Sequence, residues 1–287
     1  MQSIATSGTN TPAFDLHDRS RQLTVENIPI TLIDQGSGTP TLLLHGIFDA
    51  ADTWNSVVER LRGRYRLLVP DLPGFGRSGA PADYDASLPH LAQFIDNLLA
   101  VAGISEPINL VGYDIGATYG LAWAITHPEK VRRLAIMNGN FFSDYDWHPW
   151  AKLWRIPVLG ELVMSAVTES AYARSMAQAG PGISAEQARA AAKLVTPAAK
   201  RMALRHYRAL DSANFRGWED RLRELTARVP TLVCWGDRDR FIAPAYAERF
   251  GAREVHHFAD YGHWLPLEAP EALSNYIDAF FAPEHAL

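Results

Sequence analysis

Asp114 stands between Gly112 and Gly116 in the stretch Ile108-Asn109-Leu110-Val111-Gly112-Tyr113-Asp114-Ile115-Gly116-Ala117-Thr118. An apolar run, glycines two residues to either side, and a small-residue helix start describe a sharp strand-to-helix bend. Such a bend leaves the central side chain exposed at its tip. The tip residue in this arrangement is a nucleophile and is usually Ser, but no Gly-x-Ser-x-Gly occurs in the chain. A carboxylate attacking an ester or amide carbonyl would give an anhydride, which is uphill. Attack on a saturated carbon that bears a leaving group gives an ordinary ester, which water can then cleave. An aspartate at this bend therefore points to displacement at sp³ carbon, with an epoxide oxygen or a halide leaving.

Two further stretches could cooperate with it. Trp235-Gly236-Asp237-Arg238-Asp239 sets acids just beyond an apolar run, where catalytic groups gather in open parallel sheets. Tyr261-Gly262-His263-Trp264 sets a histidine after the last apolar run. One of Asp237 and Asp239 is read as the functional acid and the other as a solvated loop residue.

The elements that must position these groups alternate. Strand-like runs are expected at Leu23 to Glu26, Ile28 to Asp34, Thr41 to Leu44, Tyr65 to Val69, Ile108 to Gly112, Val131 to Met137, Thr231 to Trp235 and Arg253 to Phe258. Helices fit Asp52 to Leu61 with Asp52 as N-cap, Leu88 to Val101, Ala117 to Thr126, and about Glu271 to Phe281. The alternation predicts an α/β fold with a mostly parallel sheet and right-handed crossovers. From 140 to 228 the pattern turns helical, rich in Ala and Arg, with Trp147, Trp150 and Trp154. This block reads as a helical cap inserted after the sixth strand, over a core of 1–139 and 229–287. Residues 1 to about 20 read as a loosely held tail.

Composition narrows the classes. A net charge of −5 on 287 residues, with scattered basic residues, gives no reason to expect a nucleic-acid partner. No apolar run approaches a membrane span and no signal peptide is read, so a soluble cytoplasmic protein, monomer or homodimer, is the expectation. The single cysteine, Cys234, lies in a strand-like run and reads as a buried thiol.

Together with His45-Gly46 and Asp71-Leu72-Pro73-Gly74-Phe75-Gly76-Arg77-Ser78, the order nucleophile, acid, histidine resembles α/β-hydrolases across nearly the whole chain. The elbow aspartate resembles the branch of epoxide hydrolases, haloalkane dehalogenases and fluoroacetate dehalogenases. The resemblance implies Asp114 as nucleophile, His263 as the base that activates water, and Asp239 as the acid that orients His263. It implies an oxyanion hole from the backbone N–H groups of Ile47 and Ile115, each such donor being worth roughly 10²–10³-fold in rate. Haloalkane dehalogenases usually carry Trp after the nucleophile, and fluoroacetate dehalogenases Arg; Ile115 matches neither. Tyr207-Arg208-Ala209-Leu210 resembles the cap segment that gives epoxide hydrolases a leaving-group tyrosine. His148 is the first choice for a second donor, followed by Tyr145 and Tyr172. Trp147, Trp150, Tyr145 and Phe48 are further expected to line the substrate pocket. Where epoxide hydrolases usually read His-Gly-Phe-Pro, this chain has Phe48 in place of the proline. The implied chemistry needs carboxylate, imidazole and water, with no metal or organic cofactor, and an apolar pocket suits a small lipophilic substrate. A non-catalytic ligand receptor on the same fold is the rival from another class.

Overall fold

The computed structural model describes residues 20–282; the tail expected at the N-terminus lies almost wholly outside them. Eight strands form one sheet: β1 (Ser20–Val25), β2 (Ile28–Gln35), β3 (Thr39–Leu44), β4 (Tyr65–Pro70), β5 (Ile108–Tyr113), β6 (Val131–Met137), β7 (Thr231–Gly236) and β8 (Glu254–Phe258). Their spatial order is β1-β2-β4-β3-β5-β6-β7-β8, antiparallel at β1–β2 and β2–β4 and parallel from β4 to β8. This is the mostly parallel sheet the alternation predicts.

Alternate strand residues feed two cores, as the period of two demands. Leu42, Leu44, Leu110 and Ile136 pack with α2 (Leu88–Val101) and α3 (Ile115–Thr126) on one face. Leu43, Val111, Ala135 and Met137 pack with α1 (Asn55–Leu61) and, near the C-terminus, α10 (Pro270–Phe281) on the other. The segment expected as one helix from Asp52 is instead a 3-10 turn, Ala51–Trp54, leading into α1, and Asp52 does not cap it.

Between β6 and β7 come α4 (Pro149–Trp154), α5 (Leu159–Ser165), α6 (Glu169–Ala179), α7 (Ala185–Ala192), α8 (Pro197–Ala209) and α9 (Trp218–Thr226). Short polar caps start α6, α7 and α8: Thr168, Ser184 and Thr196 each accept from a backbone N–H of the first turn. In α8 the residues Ala199, Met202, Ala203, His206 and Tyr207 recur on one buried stripe, which turns Tyr207 inward. The last helix of the block, α9, lies against α3 and buries Leu222 and Leu225 in the sheet-side core. No helix among the described residues is long and apolar enough to cross a membrane.

Candidate active site

Asp114 joins β5 to α3 with φ 51° and ψ −123°, a backbone state that costs energy for a residue with a side chain. The flanking glycines are steric requirements of this bend. A Cβ at Gly112 would lie 2.6 Å from the Ala117 Cα, and one at Gly116 would lie 2.3 Å from the Leu44 carbonyl oxygen. The Asp114 carboxylate keeps 23% of its side-chain surface open, and that surface faces a cavity of about 450 Å³ under the cap.

The Ile47 N–H donates to Asp114 Oδ2 at 2.8 Å. Burial raises the Asp114 carboxyl above its ordinary value, while His263 and the amides of Ile47 and Ile115 pull it back towards the anion. The two amides expected as oxyanion donors thus hold the resting carboxylate. Phe48 follows with φ 61°, in the left-handed region. Proline is locked near −65° and could not occupy it, so this turn is built differently from a His-Gly-Phe-Pro turn while still aiming the Ile47 N–H at Asp114.

Two loops bring up the other members. Gly236 and Gly262 pass so closely that a Cβ on Gly236 would lie 1.8 Å from the Gly262 oxygen, and Arg238 N–H donates to the Tyr261 oxygen at 2.9 Å. His263 Nδ1 meets Asp239 Oδ2 at 2.8 Å, and Nε2 stands 4.0 Å from Asp114 Oδ1. Asp239 Oδ1 accepts from the N–H groups of Phe241 (2.7 Å) and Ile242 (3.1 Å). Burial pulls the His263 imidazole down, but Asp239, its hydrogen bond, Asp114 and Asp49 outweigh it and carry it up to about 9. Asp237 pairs with His257 instead, at 2.5 Å.

Two side chains from the segment between β6 and β7, Tyr207 and His148, line the cavity with their protons in place. Burial, followed by the charge of Asp114, holds the Tyr207 phenol well above 10, so it stays protonated. No hydrogen bond to another described residue engages its hydroxyl. His148 caps α4: its Nδ1 accepts from the Ala151 N–H at 3.2 Å, so in the neutral ring the proton sits on Nε2. Burial, with His263 adding to it, holds His148 down to about 4, which keeps that ring a neutral N–H donor. Its ring lies 6.0 Å from that of Tyr207. Tyr145 is different, because its hydroxyl already donates to the Phe241 oxygen at 2.9 Å. It lines the cavity but is spent as a leaving-group donor. Tyr172 lines the cavity as a protonated phenol, 5.7 Å ring to ring from Phe48. Phe48, Trp147 and Trp150 line the same space.

Three residues of the site escape a reading of motifs. Asn138, just after β6, donates to Asp239 Oδ2 at 2.8 Å and accepts from the Gly236 N–H at 3.0 Å. Glu268 accepts from the N–H groups of Gly262 and Trp264 on either side of His263, and from Gly182 of the cap, each at 3.0 Å. Asp49 is buried, and the charges of Asp114 and His263 bear on it. Its signal in the sequence is its place in His45-Gly46-Ile47-Phe48-Asp49, immediately after the oxyanion turn; Asn138 and Glu268 carry no comparable local signal.

The family model for the alpha/beta hydrolase fold matches residues 39–160. A cis-3-alkyl-4-alkyloxetan-2-one decarboxylase of Shewanella oneidensis is 27% identical over 89% of this chain and 86% of its own. Epoxide hydrolase 4 of Mus musculus is 26% identical over 85% of this chain and 73% of its own. Among solved structures, a meta-cleavage product hydrolase from Pseudomonas fluorescens superposes with a TM-score of 0.77 at 20% identity, covering 91% of this chain and 97% of that one.

Proposed function

The chain belongs to the α/β-hydrolase superfamily, and from that premise we propose that it hydrolyses epoxides to diols through a covalent ester on Asp114. One observation carries the reading. An amide-held carboxylate at the elbow shares one cavity with two groups that can donate a proton to a leaving oxygen: the Tyr207 hydroxyl and the His148 Nε2–H.

Asp114 attacks a ring carbon, forming a C–O bond as the ring C–O bond breaks. The alkoxide takes a proton from Tyr207, with His148 sharing the developing charge. Esterification removes the Asp114 charge, and with it one of the influences that keep His263 protonated. His263 passes its proton to the Tyr207 phenolate and, now neutral, takes a proton from water as the water oxygen adds to the ester carbonyl. The amides of Ile47 and Ile115 hold the oxyanion, Asp239 steadies the imidazolium, and on collapse the departing diol oxygen takes the imidazolium proton while the new Asp114 acid returns one to His263.

A second reading, hydrolytic dehalogenation, draws support from Trp147 and Trp154. Both line the cavity, and both have a buried indole N–H without a hydrogen-bond partner among the described residues, a donor type suited to a leaving halide. The test is a panel of lipophilic epoxides, haloalkanes and four-membered lactones, scored for diol, halide and carbon dioxide. Single-turnover hydrolysis in ¹⁸O-labelled water should leave unlabelled enzyme oxygen in the first diol. Labelled oxygen in that diol would exclude the ester route, and no turnover across the panel would favour a ligand receptor.

A further inference from the structure

The protein leaves most of its exposed apolar side chains in one place. Among the described residues eight large hydrophobic side chains are exposed, and six of them fall between 150 and 162: Trp150, Leu153, Ile156, Val158, Leu159 and Leu162. They lie on α4, on α5 and on the turn that joins the two. Trp150 is 58% exposed and Leu162 64%, in a protein that buries Trp54, Trp123 and Trp235 completely. The turn is a strained one. Val158 holds φ 69°, a state that disfavours β-branched residues, and it is 72% exposed. Glycine or asparagine would hold the same turn with less strain and without an apolar tip.

The other side of these helices is a wall of the cavity. Trp150 and Trp154 of α4 and Val163 of α5 line it, so the two helices face the cavity on one side and solvent on the other. Cations gather around the apolar ridge. Residues 146–211 carry nine Lys or Arg against five Asp or Glu, on a chain whose net charge is −5. Both α4 and α5 pack on α8, and Arg208 of α8 donates to Glu161 of α5 at 2.7 and 2.8 Å. Arg201 and Arg205 precede Arg208 by two turns and by one, on the same helical face. Both are exposed, and neither has a salt bridge among the described residues. Lys152 of α4 is a further exposed cation, paired with the exposed Asp146.

An apolar ridge that includes a tryptophan and is flanked by cations suits the headgroup layer of an anionic bilayer. A second copy of the chain fits the ridge less well, because a two-fold contact through it would bring the same cations face to face. We propose that α4 and α5 dock this protein reversibly onto an anionic phospholipid surface, with Trp150 and Leu162 in the headgroup layer and Arg201 and Arg205 against lipid phosphates. The cavity wall then rests on the membrane, where lipophilic molecules concentrate. The docking is independent of the ester chemistry proposed above, since any apolar substrate would be met in the same way.

The experiment uses the full-length protein and sedimented vesicles. The parent should bind vesicles of phosphatidylcholine and phosphatidylglycerol in equal parts at least tenfold more tightly than vesicles of phosphatidylcholine alone. Raising the salt from about 0.1 M to about 0.5 M should weaken that binding at least fivefold. Val158→Asn/Leu162→Gln should weaken it at least tenfold, and Arg201→Gln/Arg205→Gln by about 10–30-fold, at roughly fivefold for each cation removed. Val101→Asn, which alters an exposed apolar residue at the end of α2, should bind as the parent does. No binding, binding indifferent to lipid charge, or ridge variants that bind like the parent would each overturn the proposal. So would a dimer in sedimentation equilibrium that Val158→Asn/Leu162→Gln dissociates, because a second copy would then cover the ridge. Should that double variant fail to fold, the arginine variant and the salt response decide: unchanged binding in both overturns the docking.

Discussion

The Nε2 of His263 stands 4.0 Å from Oδ1 of Asp114, beyond hydrogen-bond reach, while Nδ1 is bonded to Asp239 at 2.8 Å. The imidazole is fixed along one edge and open along the other. On the proposed ester route, a base so placed would leave Asp114 free to attack and still have an open edge for the water that cleaves the ester. His263→Gln should therefore leave ester formation within about tenfold of the parent and slow ester cleavage by roughly 10³-fold or more, in line with the loss of a general base. Rapid-quench kinetics with intact-mass detection separates the two steps. Equal loss in both would place His263 in the attack rather than in the cleavage.

The same pair predicts a titration. Asp114 is one of the charges that carry His263 up to about 9. Asp114→Asn should bring that value down, read from imidazole nitrogen shifts by NMR. The sign for stability follows from His263 lying above its ordinary 6.5 when folded: its contribution is complete below about 6.5 and lost as pH rises through about 9. In Asp114→Asn that window should narrow from the alkaline side. An unmoved His263 titration would mean that the two side chains are not electrostatically coupled.

Tyr207→Phe should slow the opening of an epoxide by about 10²-fold, the lower range for losing a positioned acid, and spare a haloalkane, whose leaving group needs no proton. Comparable losses on both substrates would make Tyr207 a packing residue of α8. Tyr145→Phe is the control on the other side, since its hydroxyl is committed to the Phe241 oxygen.

How much of this could be read beforehand depended on whether the determining contact is local. Asp114 was legible because the glycines that make its bend possible sit two residues away on either side. The strands were legible from their apolar runs, and Asp239 and His263 from the chain order. What stayed hidden is made by residues far apart. Asn138 reaches Asp239 across about a hundred positions, and Glu268 ties the His263 loop to Gly182. The same holds for Tyr145, whose hydroxyl is spent on Phe241, 96 residues on. The left-handed Phe48 and the 3-10 start at Ala51 reflect tertiary demands on the oxyanion turn that outweigh local propensity.

Asp49 should make the fold less stable as pH rises. An acid whose folded value is raised to about 7 is penalised once the unfolded chain ionises, from about pH 4, and the penalty is complete above about 7. Asp49→Asn should therefore stabilise the protein at pH 8 by about 1–3 kcal/mol, the upper part of that range being reduced by the cost of an amide without partners. The gain should vanish at pH 4. Denaturant unfolding at the two pH values checks it, and a pH-independent effect would show that Asp49 does not titrate in the fold.

Asn138 offers the sharpest separation of geometry from chemistry. It holds φ 37°, which asparagine tolerates better than alanine does, and its amide spans Asp239 and both polar groups of Gly236. Asn138→Ala loses the hydrogen bonds and strains the backbone as well; Asn138→Gly loses the bonds alone. Both leave the buried Gly236 N–H without this acceptor, so each should cost about 1–3 kcal/mol of stability, the alanine variant about 1 kcal/mol more. Both should lower kcat by a similar factor of roughly 10, because the loss that matters is the tether on Asp239, while KM stays near the parent value. A glycine variant with full kcat would show that Asp239 is held well enough by the Phe241 and Ile242 amides, and that Asn138 serves only the fold.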